Sequence, residues 1–201
     1  MSFMTNNLAN HTLEKSISFR SFVQEQSNAF LVAQFSLLVS AHVDLNQFTS
    51  QIGMDEGSTT RLGRRGNAYS ENVEILPLVG ELWGSPVQTL NHFEVWLAAL
   101  SLRIVDKAQK MGLHLNTCPL CSFANNFRNA IAHDGVWKWG RRRGDPGAFQ
   151  DFVLTSEHLG HSALYKPASS SSEFSLMPGD VFTFWKVYGD HFISDHADDH
   201  K

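Results

Sequence analysis

Cysteine, proline and long apolar runs are all scarce in this sequence. Two cysteines in 201 residues exclude a disulfide-built scaffold. Six prolines and 14 glycines exclude a collagen-like or low-complexity chain. The longest apolar region, Ala29 to Val43, is interrupted by Gln34, Ser36, Ser40 and His42, so no transmembrane helix and no membrane partner are expected. Met1 to Phe19 is polar, with Asn6, Asn7 and Asn10, and has no basic start followed by an apolar core; a secretory leader is not expected. With so few cysteines, this places the chain in a reducing cytoplasm. There is no Gly-rich phosphate loop, no serine nucleophile elbow and no HExxH helix, so the usual NTPase, hydrolase and zinc-protease signatures do not apply.

What is present is a core-forming composition, 42% hydrophobic and 18% charged, with a net charge of −4. The charge is uneven. Between Arg61 and Arg143 there are 11 basic and 6 acidic residues, while the rest of the chain holds 5 basic and 14 acidic. An acidic total therefore conceals a basic centre, suited to local contact with a polyanion rather than to broad electrostatic coating.

Apolar periodicity predicts an all-α chain. Phe22, Gln26, Phe30, Ala33, Leu37, Ala41, Leu45, Phe48 and Ile52 form a stripe from about Ser21 to Ile52, and Leu31, Phe35 and Leu38 widen it toward a central helix. Gly57 to Tyr69 reads as a loop and Asn72 to Trp83 as a short helix kinked at Pro77. Ser85, Pro86 and Gln88 form a capping box that opens a helix ending at Gly112. Thr117 or Cys118 caps the next helix, which Gly135 closes, and Pro178-Gly179-Asp180 opens the last. Within 136–177 the helical spacing gives way to short alternating runs at 137–139, 149–154, 163–165 and 174–176. The expectation is one domain over residues 1–201: an antiparallel bundle of four or five helices, with a small β insertion at 136–177 and a frayed acidic tail at 195–201.

Residues 125–135, Asn-Asn-Phe-Arg-Asn-Ala-Ile-Ala-His-Asp-Gly, carry the chemistry. At about 100° per residue, Leu120, Ala124, Phe127 and Ile131 share one side of a helix, and Asn125, Asn126, Asn129 and His133 fall on the other. Asparagine is a poor helix former, so three of them beside a histidine mark a polar surface kept for contacts. His133 lies at the carbonyl end of the helix, where a cation is favoured, and histidine transfers protons near neutral pH. Arg128 is a planar, permanent cation suited to phosphate.

Phe127 to His133 resembles the Arg-polar-spacer-His signature of the HEPN domains (higher eukaryote and prokaryote nucleotide-binding). The resemblance implies a helical bundle that dimerises with two Arg/His motifs facing across a cleft. It also implies a metal-independent endoribonuclease, often a toxin paired with a cognate antitoxin protein or a defence component. In that chemistry the ribose 2′-hydroxyl attacks the adjacent phosphate, leaving a 2′,3′-cyclic phosphate and a 5′-hydroxyl. Carried over, His133 is the acid or base, Arg128 holds the phosphate, and Asn129 orients His133 or the RNA backbone. No metal and no cofactor are implied. Some members of the group only bind a nucleotide, RNA or a protein partner, which is the alternative reading.

Downstream, Trp137, Lys138, Trp139, Arg141, Arg142 and Arg143 combine aromatics with cations in the manner of a single-stranded RNA groove; the competing reading is core tryptophans beside a solvated basic loop. Arg61, Arg64 and Arg65 read as a basic loop. Cys118 and Cys121 have metal-ligand spacing, but a zinc site needs two more ligands and His114 is the only candidate near in sequence, so they read as reduced structural cysteines. His191, His196 and His200 lie near or in the acidic tail and suggest adventitious metal contact at most.

Overall fold

A computed structural model describes residues 2–40, 59–63, 70–74, 86–113, 118–139, 146–166 and 173–198. The chain is mostly helical. Among the described residues four α-helices occur, α1 (Ser2–Ser40), α2 (Pro86–Lys110), α3 (Pro119–Ala132) and α4 (Pro178–Asp198). Two antiparallel strand pairs accompany them, β1 (Thr59–Gly63) with β2 (Ser70–Glu74), and β3 (Ala148–Phe149) with β4 (Phe152–Val153). The chain divides into two compact units, residues 1–30 with 94–201, and residues 31–93.

In the larger unit, α1 begins well before the predicted Ser21. No proline or glycine occurs before Gly53, so nothing breaks the helix through its polar first half. Among its described side chains Phe19, Val23 and Phe30 are the buried apolar ones, with Ser16, Gln26 and Ser27 buried beside them, and Phe19 meets Tyr188 and Phe192 of α4 edge-on. Gly189 of α4 lets Val23 approach to 3.2 Å of where a Cβ would stand. Of the predicted second apolar row, Leu31 and Phe35, which fall in the smaller unit, are exposed, and the Leu38 side chain lies outside the described residues. Residues 41–52 of the predicted stripe lie outside the described residues.

Among its described side chains α2 buries Leu97, Ser101, Ile104, Val105 and Ala108, which share one helical face. It ends where Gly112 takes a left-handed φ of 71° and the Leu113 amide donates back to the Ala108 carbonyl at 3.1 Å. Its buried Ser101 hydroxyl accepts from the Trp185 indole of α4 at 2.9 Å.

α3 is the hub. Phe123 touches Phe127, Trp137, Phe149, Phe152 and Phe184, joining α3, α4 and the segment between them. Among its described residues that segment carries the small β content expected at 136–177, reduced to short pieces. The described residues there hold two two-residue strands and the isolated bridges Val136–Ser162 and Leu164–Leu176, with a 3-10 turn at Ser156–His158. Its aromatics face a helix rather than a second sheet, so packing and not strand pairing fixes its path.

The smaller unit holds the β1–β2 hairpin, in register from Thr59 opposite Glu74 to Gly63 opposite Ser70. This corrects the loop predicted at 57–69 and the start of the helix predicted at 72–83. β-branched Thr59, Thr60 and Val73 favour strand, and the Gly-containing connection suits a hairpin. Residues 75–83 lie outside the described residues.

Candidate functional site

The end of α3 is set by local chemistry. His133 is the C-cap, with an extended backbone (φ −132°, ψ 96°), and its amide donates to the Asn129 and Ala130 carbonyls. Asp134 and Gly135 then take left-handed φ values of 63° and 71°, and the Gly135 amide closes the helix on the Ala130 carbonyl at 3.0 Å. Helical periodicity therefore stops at Ala132. His133 does not continue the stripe of Asn125, Asn126 and Asn129; it leaves the helix and is exposed. No protein group hydrogen-bonds its ring among the described residues.

Arg128 is held in place. Its Nε donates to Asp106 Oδ1 at 3.0 Å, an ion pair between α3 and α2, each side chain about a third exposed (32% and 36%). Its Nη1 donates to Asn129 Oδ1 at 3.4 Å. The guanidinium is thus fixed on its Nε side, while Nη2 has no protein partner among the described residues. Asn129 thus meets Arg128, whereas the family resemblance gives it the orientation of His133 or of the RNA backbone.

Asp106 was not singled out in the sequence. A signal was nonetheless there: a carboxylate in the last turns of a helix opposes the dipole and calls for a cationic partner.

The other asparagines serve the fold. Asn126 is buried, and its Nδ2 donates to the Pro146 carbonyl at 2.7 Å. Asn125 Oδ1 accepts from Gln109 Nε2 at 2.7 Å. A polar stripe dedicated to contacts is therefore corrected to a mixture of structural bonds and one exposed end.

Of the downstream group, Trp137 is fully buried among Phe123, Phe127 and Phe152, and its indole donates to the Phe174 carbonyl at 2.8 Å. It is a core residue, not a stacking platform. Trp139 is half-buried and Lys138 exposed. Lys138 pairs with Asp134 at 2.7 Å, and that bond, with the lysine charge and a smaller contribution from His133, holds the Asp134 carboxyl below its ordinary range. Arg141, Arg142 and Arg143 lie outside the described residues. Asp134 and Gly135 also border an open basin of about 240 Å³, lined further by Glu94, Ala98, Ile131, Leu164 and Lys166 and crossed by the Lys166–Glu94 ion pair at 2.9 Å.

The opposite end of α3 holds a second cluster. Cys118 is the N-cap; its Sγ accepts from the Cys121 amide at 3.0 Å, and Pro119 fills the first helical position. Cys118 Sγ lies 3.3 Å from His191 Nε2 on α4, and one donor atom each from Cys118, Cys121 and His191 falls within 4.8 Å of the others. Among the described residues the partner of the cysteine pair is His191, 73 residues away; the sequence-near His114 lies outside the described residues.

Compared with protein families, with curated proteins and with solved structures, the chain has no match.

Proposed function

We propose that this protein is a HEPN-like, metal-independent endoribonuclease that acts through Arg128 and His133 in a homodimer of antiparallel helical bundles. The observation that carries the reading is that the C-terminal end of α3 holds both an exposed histidine ring, with no protein hydrogen bond among the described residues, and a guanidinium whose Nε side is fixed by Asp106. Proton transfer needs an accessible imidazole, and phosphate stabilisation needs a cation that does not have to reorganise.

In the proposed reaction His133 takes the proton of a ribose 2′-hydroxyl. The 2′-oxygen attacks the adjacent phosphorus, and the P–O5′ bond breaks. The departing 5′-oxygen gains a proton from the second copy's histidine, giving a 2′,3′-cyclic phosphate and a 5′-hydroxyl. Arg128 directs Nη2 at the phosphoryl oxygens as charge develops on them. A two-fold axis supplies the second acid–base group without a metal. Trp139, Lys138 and Arg141–Arg143 are the proposed track for the flanking RNA. A cytoplasmic toxin with a cognate antitoxin protein is the biological setting that fits such an activity.

Incubation of the purified protein with single-stranded RNA in EDTA, with the product ends identified, tests this reading. Cyclic-phosphate ends support it; intact RNA with a dimeric protein contradicts it. One observation favours the alternative, a binding module without catalysis: Asp106 already neutralises Arg128. RNA or nucleotide retained but uncut is the outcome expected there.

A further inference from the structure

We propose that Cys118, Cys121 and His191 bind a zinc ion that fastens the start of α3 to α4. The inference is independent of the RNA-cleaving reading. The Cys-x-x-Cys spacing places the two sulfurs at the N-cap and third position of one helix, and the fold carries His191 to them from a helix 73 residues downstream. A tetrahedral zinc with Zn–S of about 2.3 Å and Zn–N of about 2.1 Å sets its S···N edge near 3.6 Å and its S···S edge near 3.8 Å. The Cys118–His191 separation of 3.3 Å and the 4.8 Å limit on all three donor atoms fall around those values, so small side-chain adjustments complete three corners. A plain thiol–imidazole hydrogen bond accounts for the 3.3 Å contact, yet it does not require the second sulfur to close the same triangle.

The surroundings suit thiolates. Both sulfurs sit at the positive end of the α3 dipole, and Cys118 Sγ already accepts a backbone amide. Two sulfurs and an imidazole select zinc over magnesium or calcium, which prefer oxygen. Cys121 is buried, while Cys118 and His191 are half-buried, leaving a route for the ion. On binding, both thiols release their protons to solvent. The fourth corner falls to water. Cys121 is seven residues from Arg128 and twelve from His133, about 10 and 18 Å along the helix axis, so the ion is structural and takes no part at the Arg128 end.

The test uses the full chain, untagged and purified without chelators. About one zinc per chain is expected by elemental analysis, and metal-free protein titrated with cobalt should develop thiolate-to-cobalt charge-transfer bands. Cys118→Ser, Cys121→Ser and His191→Ala should each weaken zinc by more than about 100-fold, whereas the His196→Ala/His200→Ala double variant should retain it. Should a ligand variant misfold, the cobalt spectrum of the wild-type chain decides alone. Folded wild-type protein showing no thiolate bands, or His191→Ala binding zinc undiminished, overturns the proposal.

Discussion

Asp106 Oδ1 accepts from Arg128 Nε at 3.0 Å, tying α2 to the helix end that carries His133. A pair this exposed contributes about 0.2–1 kcal/mol to stability. Its larger effect is geometric, because a guanidinium gripped at Nε presents its far edge in one direction.

Asp106→Asn should therefore leave stability within about 1 kcal/mol of wild type while lowering RNA cleavage by about 10- to 100-fold through misplacement of Arg128. The loss should fall on kcat more than KM, and Arg128→Lys, which keeps charge but loses the fork, should behave similarly. Single-turnover kinetics beside a thermal melt separate the two effects; an unchanged rate shows that Asp106 does not position Arg128 for catalysis.

Trp137 and Trp139 should part company. Trp137→Phe leaves the Phe174 carbonyl without its indole donor and should cost about 1–3 kcal/mol with RNA affinity intact. Trp139→Ala should change stability little and weaken RNA binding by about 1–3 kcal/mol if it stacks on a base. Denaturant melts and fluorescence-anisotropy titrations on the same preparations check both.

Gly147→Ala should be among the most damaging single substitutions. Gly147 has φ +97°, and an added Cβ would overlap the Phe123 amide nitrogen and stand 2.6 Å from the Pro119 carbonyl oxygen, both backbone atoms of α3. With no flexible side chain to yield, a loss above about 3 kcal/mol is expected, or about 6–12 °C in Tm. Differential scanning calorimetry reads it directly.

His158 makes stability pH-dependent. It is buried against Phe152 and Phe174, and its Nδ1 accepts from the Thr155 amide at 3.2 Å. Burial holds its pKa below the ordinary 6.5, outweighing the opposing pull of Glu157. The unfolded chain thus binds more protons in mild acid, so the contribution of His158 is complete above pH 6.5 and declines as pH falls through that value toward the lower folded one. His158→Asn, whose Oδ1 can replace Nδ1 as acceptor, should flatten Tm against pH between 5 and 7.5. Parallel wild-type and variant slopes would contradict the assignment.

Much of this organisation is legible along the chain where the signal is local. Pro86, Pro119 and Pro178 open helices and Gly112 and Gly135 end two of them, because a missing amide or a left-handed turn acts within one helical turn. Asn126 shows where a helical wheel errs: Phe123 and Ala130 flank it and are buried, so the core edge runs past the stripe drawn from Phe127 and Ile131. The Asp106–Arg128 and Cys118–His191 pairs were out of reach because both depend on how separate helices pack, which no spacing in one helix encodes.

Cleavage of single-stranded RNA in EDTA by wild type and His133→Ala, at equal concentration and with matched melting curves, tests the central claim most directly. Because the His133 ring is exposed and makes no protein hydrogen bond among the described residues, its removal should leave the fold intact. The account predicts cyclic-phosphate products from wild type and a loss of at least about 100-fold in the variant. Equal cleavage by both proteins, or none by a folded wild type, would contradict it.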